Sequence, residues 1–149
     1  MSLEADRIRS KLGDITRSVA RLRALHALGR ETFLEDADNQ DIARSRLLTA
    51  IEAALNICYH TCAKRLHQVP EEYAQCFHLL GQAGLLPRDL AGRLALMARF
   101  RNRLVHLYWD IDYGQVYDFL PSALDDLEAY SAIVAGWLAG SRGAPGSDE

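Results

Sequence analysis

Apolar residues recur at steps of three and four along most of the chain, the spacing of one helix face. Ile8, Leu12, Ile15, Val19 and Leu22 make the first stripe. Ser2 is placed to cap it, with Glu4 and Asp6 in the first turn. The stripe ends near Gly29, and ETFLED reads as a separate helical turn. A second long helix is expected from about Asp41, with Leu48, Ile51, Leu55, Cys58 and Cys62 on one face. Val69-Pro70-Glu71-Glu72 reads as a helix start with Pro70 at the first helical position. That helix carries Tyr73, Phe77 and Leu80, and Gly81 or Gly84 ends it. Pro87 opens the next, with Leu90, Leu94 and Met97 on its stripe. The last stretch carries Val116, Leu120, Leu124, Leu127, Ile133, Val134 and Leu138. Pro121 lies inside it and is expected to kink or divide it.

No strand run or hairpin turn interrupts this pattern. The fold class expected is therefore all-α, an antiparallel helical bundle with short connections. The 149 residues suit one domain with a core of its own. Its expected span is residues 1–139, followed by a disordered tail over 140–149, GSRGAPGSDE. No signal-peptide pattern and no apolar run near ~20 residues is present, so a cytoplasmic, non-membrane protein is expected.

The helix opened by Pro87 breaks its own rule at its end. Continuing its stripe past Met97 leads to positions 101, 104 and 108, which are Arg, Leu and Tyr. A charge on a core-facing stripe is costly unless it is paired or hydrated. Arg101 must therefore face a partner, a cleft or a second subunit. Asn102 and His106 are four apart and share a face, so the amide is placed to orient the imidazole. Arg101 and His106 stand roughly 140° apart around the helix and flank a groove. The same helix has a second apolar side, Leu96, Phe100 and Leu107. A helix apolar on two sides is buried on two sides, and a two-fold partner would cover the second.

Charge and cysteine content add little to this. The net charge of −3 argues against bulk electrostatic binding of nucleic acid. Locally, Pro87 to Arg103 holds five Arg against one Asp, and Asp110 to Tyr130 holds five Asp and one Glu with no base. Salt bridges between neighbouring helices and a phosphate-binding patch both fit that pattern. Cys58, Cys62 and Cys76 are odd in number and include no CxxC pair, so they read as buried apolar thiols, with neither a metal site nor a disulfide framework expected. His26 continues the first apolar stripe and reads as a core or interface histidine; sequence alone does not place His60.

Arg101, His106 and Tyr108 form R-x4-H-x-Y within RNRLVHLYW. This resembles the motif of the HEPN superfamily of α-helical ribonucleases, most closely the HepT toxins. DIARSRLLTAIEAALNICYH, EEYAQCFHLLGQAGLLP and RNRLVHLYWDIDYGQVYDFL follow in the order and spacing of HepT-like chains, so the resemblance covers roughly Asp41 to Leu120. It implies a HEPN-like bundle, a homodimer with facing motifs, and endoribonuclease activity on RNA without metal or other cofactor. Arg101 would hold the scissile phosphate, and His106 would serve as general acid or base. Asn102 would support the site. Attack by the ribose 2′-OH would leave a 2′,3′-cyclic phosphate. The resemblance also implies a type VII-like toxin–antitoxin pair, in which a minimal nucleotidyltransferase (MntA-like) antitoxin neutralises the toxin by AMPylation of Tyr108. On the Arg101 stripe, that tyrosine would carry its phosphate to Arg101. The alternative is a non-catalytic helical binding subunit of a nucleotidyltransferase complex.

Overall fold

The computed structural model describes residues 3–143. Among these residues six α-helices run in chain order: α1 (Leu3–Ala27), α2 (Arg30–Glu35), α3 (Ala37–Thr61), α4 (Tyr73–Gln82), α5 (Arg88–His106) and α6 (Tyr113–Gly143). A π-turn, Cys62–Leu66, continues α3, and a 3₁₀ turn, Tyr108–Asp110, follows α5. No strand occurs among the described residues. The all-α bundle read from the stripes is the fold observed. The Ser2 cap and residues 144–149 of the expected tail lie outside the described residues; residues 140–143 belong to α6.

Local chemistry moves several helix ends. α3 begins at Ala37, earlier than the expected Asp41, because the Asp36 carboxylate accepts from the Asp38 N–H at 2.9 Å and caps it. α4 begins at Tyr73, so Pro70 is not its first residue. Glu72 is extended there, and the Gln75 side chain reaches back to accept from the Glu71 N–H at 2.6 Å. α6 passes through Pro121 without dividing. The proline removes one hydrogen bond, but the packed apolar residues on both sides, Val116, Leu120, Leu124 and Leu127, keep the helix whole.

α1 packs along α3 and α6, and the α4–α5 hairpin lies against α3. Gly81 makes the hairpin tight, since a Cβ there would lie 2.8 Å from the Ala91 Cβ. At the centre Tyr130 is fully buried, edge-on to Phe77, with its hydroxyl donating to the Ala54 carbonyl at 3.0 Å.

All three cysteines are buried as expected, but they are not three free thiols. Cys58 on α3 and Cys76 on α4 form a disulfide, and Cys62 keeps its thiol 3.8 Å from the Cys76 sulfur. The α4–α3 packing brings together sulfurs that lie 18 residues apart in the chain.

Candidate active site

α5 carries Arg101, Asn102 and His106 in its last two turns and ends at His106. A change of backbone geometry and two side-chain contacts mark this end. Leu107 leaves helical geometry while its N–H still donates to the Arg103 carbonyl. The Arg44 Nη1 donates to the Leu104 carbonyl at 2.9 Å, satisfying an end group of the helix. The Arg103 Nη2 donates to the Asp110 carbonyl at 3.0 Å and folds the next turn back. Tyr108 therefore lies off the axis of α5. The expectation that it shares a helical stripe with Arg101 is wrong, because the helix ends before it.

Arg101 has the partner that its position required. Its Nε donates to one oxygen of Glu52 at 2.9 Å, and its Nη2 forms an ion pair with the same oxygen at 2.9 Å. Its guanidinium lies 5.1 Å from the centre of the Tyr73 ring, within cation–π range. Its Nη1 leans on the Asn102 side-chain oxygen at 3.4 Å. Asn102 thus touches Arg101, and among the described residues no hydrogen bond joins it to His106. His106 is exposed at the end of the helix. Arg101 borders a polar groove of about 480 Å³ between α1, α3, α4 and α5, with Lys11, Asn56, Tyr59 and Tyr73 on its walls. Asn102 borders a neighbouring hollow with Arg99, across the same two tyrosines.

Tyr108 is half exposed, with its ring edge-on to Trp109 and 5.1 Å from the Arg44 guanidinium. The cation beside the tyrosine is therefore Arg44. The places of Glu52, Tyr73 and Arg44 beside the motif did not emerge from the sequence, which put Tyr73 only on a helix stripe. Glu52 interrupts an apolar run, A-I-E-A-A-L, and that interruption was the one signal it gave. His26 is partly buried and stacks on Tyr117 at 4.0 Å, consistent with a core role.

The acidic stretch pairs partly with the basic one, through Arg93–Asp126 and Arg103–Asp110. Its other ion pairs reach α1 and α2, where Arg23 meets Asp125 and Glu128 and Arg30 meets Asp118. Arg101 is the arginine of the basic stretch that turns to α3. No described helix is long and apolar enough to cross a membrane.

These features define an all-α domain that displays an Arg-x4-His pair at the C-terminal end of one helix. The chain belongs to the HepT-like ribonucleases: the family model described as Ribonuclease HepT-like matches residues 15–134. It is 26% identical over 129 residues to the mRNA nuclease HepT of Shewanella oneidensis, covering 87% of this chain and 96% of the relative. It is 28% identical over 131 residues to the tRNA nuclease HepT of Aphanizomenon flos-aquae, covering 88% and 89%. A solved structure, the tri-AMPylated Shewanella oneidensis HEPN toxin in complex with MNT antitoxin, superposes with a TM-score of 0.81 at 25% identity. That match covers 91% of this chain and 99% of the other.

Proposed function

We propose that this chain is a cytoplasmic endoribonuclease toxin that cuts RNA with Arg101 and His106. The observation that carries this reading is the pair itself: a guanidinium fixed at the edge of a groove, and an exposed imidazole five residues further along the same helix. Family membership supports it, as do the relatives described as mRNA and tRNA nucleases. Arg101 binds the scissile phosphate and stabilises the charge that develops on it. The ribose 2′-oxygen attacks phosphorus, and the 5′-oxygen leaves. His106 takes the 2′ proton or supplies one to the leaving oxygen. Two such transfers are needed, and a homodimer with facing motifs supplies two histidines. Arg and His suffice for this chemistry without a metal. Asn102 supports the site through its contact with Arg101.

The partner is a minimal nucleotidyltransferase antitoxin, as in the solved complex of the Shewanella toxin with MNT antitoxin. Tyr108 is the acceptor of AMP, since its ring stands half exposed beside the motif. Homodimerisation fits the apolar residues left on the surface by α5 and just after it, Leu96 and Leu107.

The test incubates the purified chain with labelled transfer RNA, messenger transcripts and an all-DNA analogue. Cleavage of RNA alone, leaving a 2′,3′-cyclic phosphate and lost in His106→Ala, is the expected result. Equal cutting of DNA, or full cleavage by His106→Ala, sinks the active-site assignment. Co-expression with the antitoxin, followed by mass spectrometry, is expected to place AMP on Tyr108; an unmodified Tyr108 in a neutralised complex counts against that role.

A further inference from the structure

A guanidinium has five N–H donors: one on Nε and two on each Nη. In Arg101, Nε donates to one Glu52 oxygen at 2.9 Å, and Nη2 lies 2.9 Å from that oxygen in an ion pair. One Nη1 proton leans toward Asn102 at 3.4 Å. That leaves at least one proton on Nη1 and one on Nη2 for a phosphate, two of whose oxygens a guanidinium can take at once. The Tyr73 ring lies against the guanidinium, 5.1 Å from its centre, and limits its tilt. The Arg101 side chain is only 20% exposed, whereas the Glu52 side chain is 47% exposed. Two elements far apart in the chain, α3 and the first residue of α4, thus hold one side chain of α5 in a single orientation.

We propose that Glu52, backed by Tyr73, is the positioning residue for Arg101, fixing the guanidinium so that its open fork meets the scissile phosphate. This rests on the reading of Arg101 as the phosphate-binding group. The glutamate does not touch the substrate. It acts by removing the rotamers that a long side chain would otherwise sample, so that the arginine reaches the transition state without reorganisation. Its negative charge beside the bound phosphate opposes ground-state binding of RNA while the fixed geometry favours the transition state. Glu52 is therefore expected to act on kcat and to leave apparent KM unchanged or slightly raised relative to a variant lacking it.

The experiment measures kcat and apparent KM of the full-length chain on labelled transfer RNA and messenger transcripts. Glu52→Ala is expected to lower kcat roughly ten- to a hundredfold, the scale of a misplaced reacting group, with apparent KM the same or lower. In an Arg101→Lys background the same substitution is expected to change kcat less than about twofold, because an ammonium has no fork for the carboxylate to aim. Should Glu52→Ala fail to fold, Glu52→Gln, of the same shape, serves in its place with a smaller loss. Tyr73→Leu, which removes the ring from the guanidinium, is expected to lower the rate as well. Wild-type kcat in Glu52→Ala, or in Glu52→Gln where that is the variant read, overturns the proposal. So does an equal fold-loss in the Arg101 and Arg101→Lys backgrounds, which marks a general structural role. His106→Ala is run alongside: if it cleaves as wild type, the active-site reading itself fails, whereas an inactive His106→Ala beside a neutral Glu52 removes the positioning role alone.

Discussion

The Arg44 guanidinium lies 5.1 Å from the centre of the Tyr108 ring while its Nη1 donates to the Leu104 carbonyl at 2.9 Å. One side chain from α3 thus ends α5 and supports the tyrosine beside the motif. Arg44→Ala removes both contacts. The expected cost is about 1 kcal/mol, the scale of one net hydrogen bond, read as a lower urea midpoint. Amide hydrogen exchange across residues 107–110 is expected to speed up with it. Arg44→Lys is expected to recover less than half of the loss, because an ammonium cannot stack and cap at once. Unchanged exchange in Arg44→Ala would mean that the turn holds itself.

The outer face of α5 yields a second prediction. Leu96 is 64% exposed, beside an apolar hollow of about 310 Å³ formed with Met97, Phe100 and Phe119. Phe100 and Phe119 meet edge-on there at 5.4 Å. If this face joins two copies, Leu96→Glu places a charge in the contact and separates them. Light scattering at micromolar concentration is expected to show a dimer for the wild type and a monomer for the variant. At a dilution where the wild type is also monomeric, the two thermal midpoints should agree, because the residue contributes little to the chain's own core. RNA cleavage should fall with the dimer. A monomeric wild type would remove the dimer from the proposed mechanism.

The sequence carried the helices because their signal is local. Every stripe from Ile8 to Val134 needs only the spacing of neighbouring apolar residues. It also carried the motif, as a family pattern and as a charge out of place at Arg101. What it did not carry depends on contacts between distant segments. α5 stops at His106 partly because Arg44, 60 residues before Leu104, reaches the Leu104 carbonyl. The apolar spacing alone runs on to Tyr108, because it carries no sign of that cap. The partner of Arg101 lies 49 residues back, on α3. The Cys58–Cys76 bond likewise follows from the way α4 packs on α3, which a count of cysteines does not reveal.

The α4–α5 hairpin can be tested at one glycine. Gly81→Ala raises helix propensity by up to about 1 kcal/mol. However, its new Cβ would lie 2.8 Å from the Ala91 Cβ, and both atoms are fixed to helix backbone. The two helices must then part, at a cost of about 1–3 kcal/mol. A net loss of stability is expected in urea denaturation. The double variant Gly81→Ala with Ala91→Gly restores the space and should recover much of the loss. A Gly81→Ala chain as stable as wild type would show that the hairpin opens freely.

Tyr130 links stability to pH. It is fully buried, and its hydroxyl donates to the Ala54 carbonyl at 3.0 Å. Burial pushes its ionisation well above the ordinary tyrosine range, and the neighbouring Cys62 adds to the effect. In the unfolded chain the phenol releases its proton above about pH 10; in the folded chain it holds it. The unfolded state therefore binds fewer protons at alkaline pH. Stability from this group is complete below about pH 10 and falls as pH rises beyond it, by at most about 1.4 kcal/mol per pH unit. Tyr130→Phe is expected to cost about 1 kcal/mol at pH 7, where the hydrogen bond is lost. Above pH 10 the variant lacks this group's penalty, so the two stabilities should converge. The buried Cys62 thiol, also raised by burial, contributes the same sign from a lower pH. It is present in both chains and cancels in the comparison. Urea midpoints at pH 7, 9 and 10.5 measure the gap, and a gap that stays constant would mean that the Tyr130 hydroxyl ionises without unfolding the core.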